Sequence, residues 1–315
     1  MRSRSTLATR AEARRTFGDM KLVLAGGSGF LGTAWRDHLA RQGHDVVRLV
    51  RGEVLSGSES HWDPYAGQVD RSLVESADVV ANLAGAPLAH WPWTASYRRT
   101  FTDSRVATTR TLAEAIASSD RKPAFLAQSG VAGYGDQGDR LLSEDAPVDA
   151  DTFMGSVVRQ WEAASQPAAD AGARVAVLRT GVILDRRGGA LKPLLLVFRA
   201  GLGGPIGSGR QYLSTMSLVD WVRAATHLAE HDGSRGAYNL SGPNPTTNAE
   251  FGRELGRMLH RPSVVPVPAV VLRTLAGTVA SELLNSTRVE PARLLAEGFL
   301  FEHPSLNSQL AAALT

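Results

Sequence analysis

Three glycines set the first chemical expectation. Gly26, Gly29 and Gly32 form GxxGxxG inside GGSGFLG, and Gly27, Gly29 and Gly32 also satisfy GxGxxG. The segment follows the apolar run LysLeuValLeuAla at 21–25 and opens a stretch, Phe30 to Gln42, whose apolar residues recur at helical spacing until Gly43. A strand, a glycine turn and a helix in that order leave backbone N–H groups unpaired at the helix start. A pyrophosphate can lie there against Gly26, Gly29, Phe30, Leu31 and Gly32, because glycine permits the tight turn and the close approach. The end of the second strand, about 20 residues past the glycines, would carry an acidic residue if a ribose 2′-hydroxyl were bound there. Val50 and Arg51 stand at that point. A guanidinium fork pairs with a 2′-phosphate, so Arg51 predicts NADP(H) rather than NAD(H).

The elements that must position this loop follow from the rest of the chain. Apolar runs recur at 45–50, 78–84, 122–129 and 174–180, with helical stretches near 96–118 and 152–172 between them. Strands alternating with helices imply right-handed βαβ units, an α/β fold with a doubly wound parallel sheet. After residue 181 comes a glycine-rich stretch, GLGGPIGSG at 201–209, then a helix at 218–231 and a strand at 236–240. The part from 243 to 315 is punctuated by proline and mostly helical, with a helix near 290–297 stopped by Gly298. The reading divides the chain into a nucleotide-binding domain over 20–242, whose residues 186–211 also serve the substrate side, and a smaller C-terminal substrate or cap domain over 243–315. Residues 1–19 are expected to be a disordered or non-native extension outside the fold.

Charge narrows the function classes. The chain of 315 residues carries a formal charge of +3. Five arginines among the first 19 residues outweigh Glu12 and Asp19 by three, so the body from Met20 on is electrically balanced. A balanced body has no excess of cations for a nucleic-acid backbone. There is no cysteine, which removes disulfides, thiolate metal sites and cysteine nucleophiles. No apolar run reaches the length of a membrane span, and the expected location is cytoplasmic.

Several ordered motifs carry a resemblance. With the glycine loop, AsnLeuAlaGly at 82–85, SerGlyValAlaGlyTyrGly at 129–135 and TrpGlu at 161–162, the sequence resembles the extended short-chain dehydrogenase/reductases. It is most similar to their atypical epimerase-family (YfcH-like) branch of NAD-dependent epimerase/dehydratase-like proteins, which end in a domain of unknown function. SerArg at 104–105, ArgThrGlyValIleLeu at 179–184, GLGGPIGSGRQ at 201–211 and ArgValGluProAlaArgLeuLeu at 288–295 extend the match over about 20–313. The resemblance implies a Rossmann-like NADP-binding domain, places Asn82, Leu83, Ala84 and Gly85 beside the cofactor, and puts the substrate pocket between that domain and the C-terminal part. The sequence departs from the branch at Gly133, Tyr134 and Gly135, where Tyr-Tyr-Gly is usual, and at Ser217, where a histidine is usual.

Most dehydrogenases of this superfamily use Tyr-x-x-x-Lys, in which the lysine lowers the tyrosine pKa for proton exchange. The five tyrosines here are followed four places on by Val69, Phe101, Gly138, Met216 and Gly242, so the pair is absent. By alignment to Glu162 it would fall at Met154 and Val158. Ser129 and Tyr134 remain as candidate catalytic groups, although an unassisted phenol is only about 0.1% ionised at pH 7. Trp91, Arg210 and Gln211 are candidates for the substrate side. His227 to His231 matches HxxEH but sits at a helix end with no further ligand cluster in the sequence, so no metal is expected. Asp220 fits a helix start. The expected function is an NADP(H)-dependent oxidoreductase or epimerase-like enzyme acting on a small polar substrate; the alternative is a non-catalytic NADP(H)-binding redox sensor or partner-binding module.

Overall fold

The computed structural model describes residues 20–88, 90, 92–267 and 284–315. The first half of the chain runs β1 (Lys21–Ala25), α1 (Phe30–Arg41), β2 (Asp45–Val50), β3 (Glu59–His61), α2 (Arg71–Ser76), β4 (Val79–Asn82), α3 (Ala95–Ser118), β5 (Ala124–Gly130), β6 (Leu141–Leu142), α4 (Phe153–Ala163), α5 (Gln166–Asp170) and β7 (Val175–Thr180). Then follow β8 (Val182–Asp185), β9 (Gly188–Gly189), α6 (Leu191–Arg199), β10 (Tyr212–Leu213), β11 (Thr215–Ser217), α7 (Leu218–Glu230), β12 (Gly236–Leu240), β13 (Thr246–Thr247), α8 (Asn248–Leu259) and β14 (Arg288–Val289). Seven strands form one sheet in the order β3-β2-β1-β4-β5-β7-β12. Every adjacent pair in it is parallel.

Alternation along β1 shows why its sequence is apolar throughout. Leu22 and Leu24 face one layer, with Trp35 and Leu39 of α1 and Trp221 of α7. Val23 and Ala25 face the other, with Leu112 and Ile116 of α3. A strand covered by helices on both faces has no side on which to place a polar residue. The two tryptophans meet edge to face at 6.2 Å, and the Trp35 Nε1 donates to Thr226 Oγ1 at 3.1 Å. The strand order reverses between β1 and β4, so the crevice at their carboxyl ends is the sheet's ligand-binding position.

The segment after 243 is tied into the preceding part of the chain at several points. β13 pairs antiparallel with β10, and β14 pairs parallel with β6. The C-terminal helix Leu306–Leu314 and α8 share an apolar cluster with α6, built on Leu195, Phe198, Phe251, Leu255, Leu306 and Leu310. The helix expected near 290–297 spans Ala292–Ala296, and Gly298 follows it at φ +77°. No helix among the described residues is long and apolar enough to cross a membrane.

Candidate functional site

The glycine loop has the shape its sequence implies. Gly26 sits at φ +79°, and a Cβ there would lie 2.5 Å from the Leu83 carbonyl carbon. The loops after β1 and β4 therefore touch backbone to backbone. A Cβ on Gly32 would lie 2.2 Å from the Gly26 carbonyl oxygen, so α1 can leave the turn only at a glycine. Gly29 N donates to Gly26 O at 3.0 Å, and Thr33 N to Gly29 O at 2.9 Å. Among the described residues the N–H groups of Phe30, Leu31 and Gly32 find no backbone acceptor, and the Gly29 N-cap brings neither a capping side chain nor an acid in the first turn. Unspent donors at the positive end of a helix dipole fit a pyrophosphate. The residues present thus fit a dinucleotide.

At the end of β2, Arg51 is solvent-exposed and one residue beyond Val50. A second cation stands closer to the glycines. Arg48 and Glu59 are register partners on β2 and β3 and form an ion pair, and the Arg48 Cγ and Cδ lie 3.1 Å from a Cβ built on Gly27. In the sequence Arg48 is inconspicuous because it lies inside a mostly apolar strand. Its signal was that same charge at mid-strand, which needs a partner or a purpose.

The loop after β4 is braced from beneath. Asn82 is fully buried; its Nδ2 donates to Thr108 Oγ1 at 3.0 Å and Thr109 Oγ1 at 2.8 Å, and its Oδ1 accepts from Ala84 N at 3.0 Å. The Asn82 side chain thus positions the loop that carries Leu83, Ala84 and Gly85. Trp91 lies outside the described residues. Nearby Trp93 is buried with Phe101, Met154 and Val157.

The two candidate catalytic groups are consumed by a buried polar network. Ser129 Oγ donates to Glu162 Oε1 at 2.7 Å, and Arg179 forks onto the same carboxylate at 2.8 and 2.9 Å. Arg179 Nη1 donates to the Tyr134 hydroxyl at 2.9 Å, which donates to Asn239 Oδ1 at 2.8 Å. Tyr134 has no exposed surface, and burial raises its pKa against the pull of Arg179. The hydroxyl expected as a proton donor is thus engaged by Arg179 and Asn239 and has no exposed surface. Ser129 is 2% exposed and hydrogen-bonded to Glu162. Burial would lower the Arg179 pKa, but the paired Glu162 outweighs it and holds the guanidinium charged. At the dyad positions, Val158 packs where a Cβ on Gly133 would go, and Met154 joins the Trp93 cluster.

The other expectations divide. Gln211 is buried, and its Nε2 donates to Ile206 O at 2.9 Å; it braces the glycine-rich loop and presents no free amide as a substrate donor. Arg210 is exposed on the same loop. Ser217 caps α7 by accepting from Asp220 N, and the fully buried Asp220 accepts from the N–H groups of Glu302 and His303. His303 Nδ1 stands 3.0 Å from Ser217 Oγ, so a ring does occupy this corner, supplied from the far end of the chain. The HxxEH pattern falls at the opposite edge of the sheet, where α7 ends. There Glu297 joins His227 and His231 within ligating distance, an approach of distant chain the sequence did not disclose. The carboxylate already accepts from Tyr238 and Ser234 and contacts His227 at 2.9 Å, and Glu230 pairs with His44, so the group reads as an internal tie between layers.

Residues 22–241 match the NAD dependent epimerase/dehydratase family, and residues 267–313 match a Domain of unknown function (DUF1731). The chain belongs to the epimerase family. It is 37% identical over 295 residues to an epimerase family protein of Mycobacterium leprae, covering 93% of this chain and 95% of the relative. Mouse epimerase family protein SDR39U1 is 37% identical over 297 residues, 92% of this chain and 98% of its own length. A crystal structure of human SDR39U1 (isoform 2) with NADPH superposes with a TM-score of 0.86 at 34% identity, covering 93% of this chain and 99% of that one. A nucleoside-diphosphate sugar epimerase from Corynebacterium glutamicum gives 0.79 at 30% identity over 97% of this chain and 60% of its own. Within an epimerase-family fold, then, this chain keeps the nucleotide cradle and fills the dyad positions with apolar side chains.

Proposed function

We propose that this epimerase-family protein binds NADP(H) and acts as an oxidoreductase or epimerase-like enzyme on a small polar substrate at the carboxyl edge of its sheet. The observation that carries the reading is the cradle of Gly26 and Gly32, closed to any Cβ, beside three unspent N–H groups on α1. Phe30, Leu31 and Gly32 would hold the pyrophosphate through those N–H groups, and Arg51 with Arg48 would hold a 2′-phosphate. The NADPH in the human SDR39U1 structure supports the choice of nucleotide. The bound nicotinamide supplies hydride chemistry, and the protein's part is orientation and exclusion of water. Because Tyr134 and Ser129 are engaged in the Arg179 network, the proton comes from a donor outside that network.

The apolar residues at Met154 and Val158 favour one second reading, a protein that binds NADP(H) without turnover. Stereospecifically labelled NADPH incubated with a panel of small carbonyl compounds separates the two. Loss of label from one face of the nicotinamide is expected; tight binding with label retained on every compound would overturn the enzymatic reading and leave the binding protein.

A further inference from the structure

Among the described residues, Arg105 is a cation without an anion. It projects from α3 beneath the loop that follows β4, and a Cβ on Gly85 would lie 3.3 Å from its Cζ. That loop is the one pressed against Gly26, so the guanidinium stands one loop away from the glycine cradle. Its Nη1 donates to Ala86 O at 3.1 Å and Phe101 O at 3.0 Å. Its Cζ lies 3.4 Å from the Phe101 ring centroid and 5.0 Å from that of Trp161. No carboxylate pairs with it among the described residues; the ionisable group that faces it is the Tyr97 phenol, and burial pushes its pKa down to about 10.

Two other arginines withdrawn from solvent are satisfied differently. Arg179 forks onto Glu162, and Arg174 donates to the carbonyls of Leu228 and Ala229 at the end of α7. Arg105 spends only Nη1. Of its five N–H groups, the three on Nε and Nη2 remain, and neither atom is sealed from solvent. Nε and Nη2 form the side-on fork of a guanidinium, whose two parallel donors match the oxygens of a carboxylate. With the Phe101 ring on the guanidinium's face, a ligand meets the fork edge-on, the geometry a planar carboxylate offers. A cation held in low dielectric without a partner is costly, and an incoming anion relieves that cost. Phe101 also packs in the cluster of Met154, where the superfamily's catalytic tyrosine would fall by alignment, which puts Arg105 on that side of the crevice.

The geometry points to Arg105 as the receptor for a carboxylate on the substrate, which makes the substrate class a small oxo or hydroxy acid. This rests on the reading of the cleft as a substrate site, but the binding step itself does not need the cofactor. The test titrates 2-oxobutyrate, its methyl ester and inorganic phosphate into the full chain, with and without NADPH, and follows thermal stability and NADPH fluorescence. The wild type is expected to respond to the acid at least about tenfold more strongly than to the ester. Arg105→Met, which keeps the stacked volume, is expected to lose the acid response by about tenfold or more while its NADPH affinity stays within about twofold; Arg105→Lys retains part of the response and serves if the methionine variant does not fold.

An acid response unchanged in Arg105→Met overturns the assignment, as does a wild type that ignores the acid or prefers phosphate to it. NADPH affinity that falls with Arg105→Met would overturn it by assigning the cation to the cofactor. A wild type that responds to acid but not to NADPH would retain Arg105 as a carboxylate receptor and remove the cofactor reading instead.

Discussion

The close contact between the first two cleft loops can be tested with three glycines that separate two costs. Gly26 combines φ +79° with a Cβ position 2.5 Å from backbone; Gly32 has the clash alone, at 2.2 Å; Gly67 has φ +67° with nothing within 4 Å. A left-handed conformation costs an alanine about 1–2 kcal/mol, and forcing a methyl group into packed backbone about 1–3 kcal/mol more. Gly67→Ala should therefore lose about 1 kcal/mol, part of the strain being offset by the stiffer unfolded chain. Gly26→Ala should lose about 2–5 kcal/mol, the sum of both. The Leu83 loop must move off Gly26 in Gly26→Ala, and α1 must move off the Gly26–Gly27 turn in Gly32→Ala, so NADPH affinity should drop at least about tenfold in both and stay unchanged in Gly67→Ala. Urea unfolding gives the stability differences, and fluorescence titration with NADPH gives the affinities. If Gly26→Ala were no less stable than Gly67→Ala and bound NADPH like the wild type, the loop contact would not be what shapes the site.

Other expectations follow from individual groups. Arg51→Ala removes a charge-assisted hydrogen bond of about 1.5–3 kcal/mol and should weaken NADPH binding about 10–100-fold while leaving NADH unaffected; calorimetric Kd values that rise together for both nucleotides would contradict the 2′-phosphate role. Arg48→Ala should act in the same direction, with an added stability loss from stranding Glu59. Tyr134→Phe leaves Arg179 Nη1 and Asn239 Oδ1 each one partner short and should cost about 1–3 kcal/mol in urea unfolding, with NADPH affinity unchanged. Glu144 is buried, and burial raises its pKa although Asn239 N donates to it at 2.9 Å. The folded state then holds this proton more tightly than the unfolded chain, so stability falls as pH rises from the ordinary carboxylate range through the raised folded value. Glu144→Gln should flatten that slope in a series of unfolding curves, and a slope equal to the wild type's would show that the group carries no such linkage.

How much of this was legible in the sequence depended on distance along the chain. The glycine loop and its two flanking elements were readable because strand, turn and helix are adjacent and each has its own periodicity. The central sheet was readable because strands buried on both faces leave unbroken apolar runs. The stretch at 152–172 reads as one helix but divides at Ala164 and Ser165, where Pro167 takes an early position of a second helix because it has no N–H to donate. What could not be read were pairings between distant elements. Ser129, Glu162 and Arg179 come from β5, α4 and β7, and no spacing rule brings them together. Read alone, Tyr134 was a plausible acid; the Arg179 and Asn239 partners that disqualify it lie 45 and 105 residues away. The same holds for His303, which fills the corner where the branch's usual histidine is replaced by Ser217.

The buried tyrosine makes one kinetic consequence sharp. In a dehydrogenase with the Tyr-Lys pair, the phenol's own ionisation shapes the pH dependence of turnover, because the lysine brings it toward neutrality. Here burial raises the Tyr134 pKa above its ordinary value, and neither Met154 nor Val158 can carry a proton. On the proposed reading, a carbonyl reduced in this cleft takes its proton from a donor other than the Tyr134 hydroxyl. The kcat/KM for reduction should therefore show no limb from a phenol through neutral pH, and Tyr134→Phe should leave the profile's shape unchanged while lowering stability. A limb near neutrality that vanished in Tyr134→Phe would require the hydroxyl to leave Arg179 and Asn239 and enter the cleft during turnover, and the static network would then be a resting state of the catalytic group.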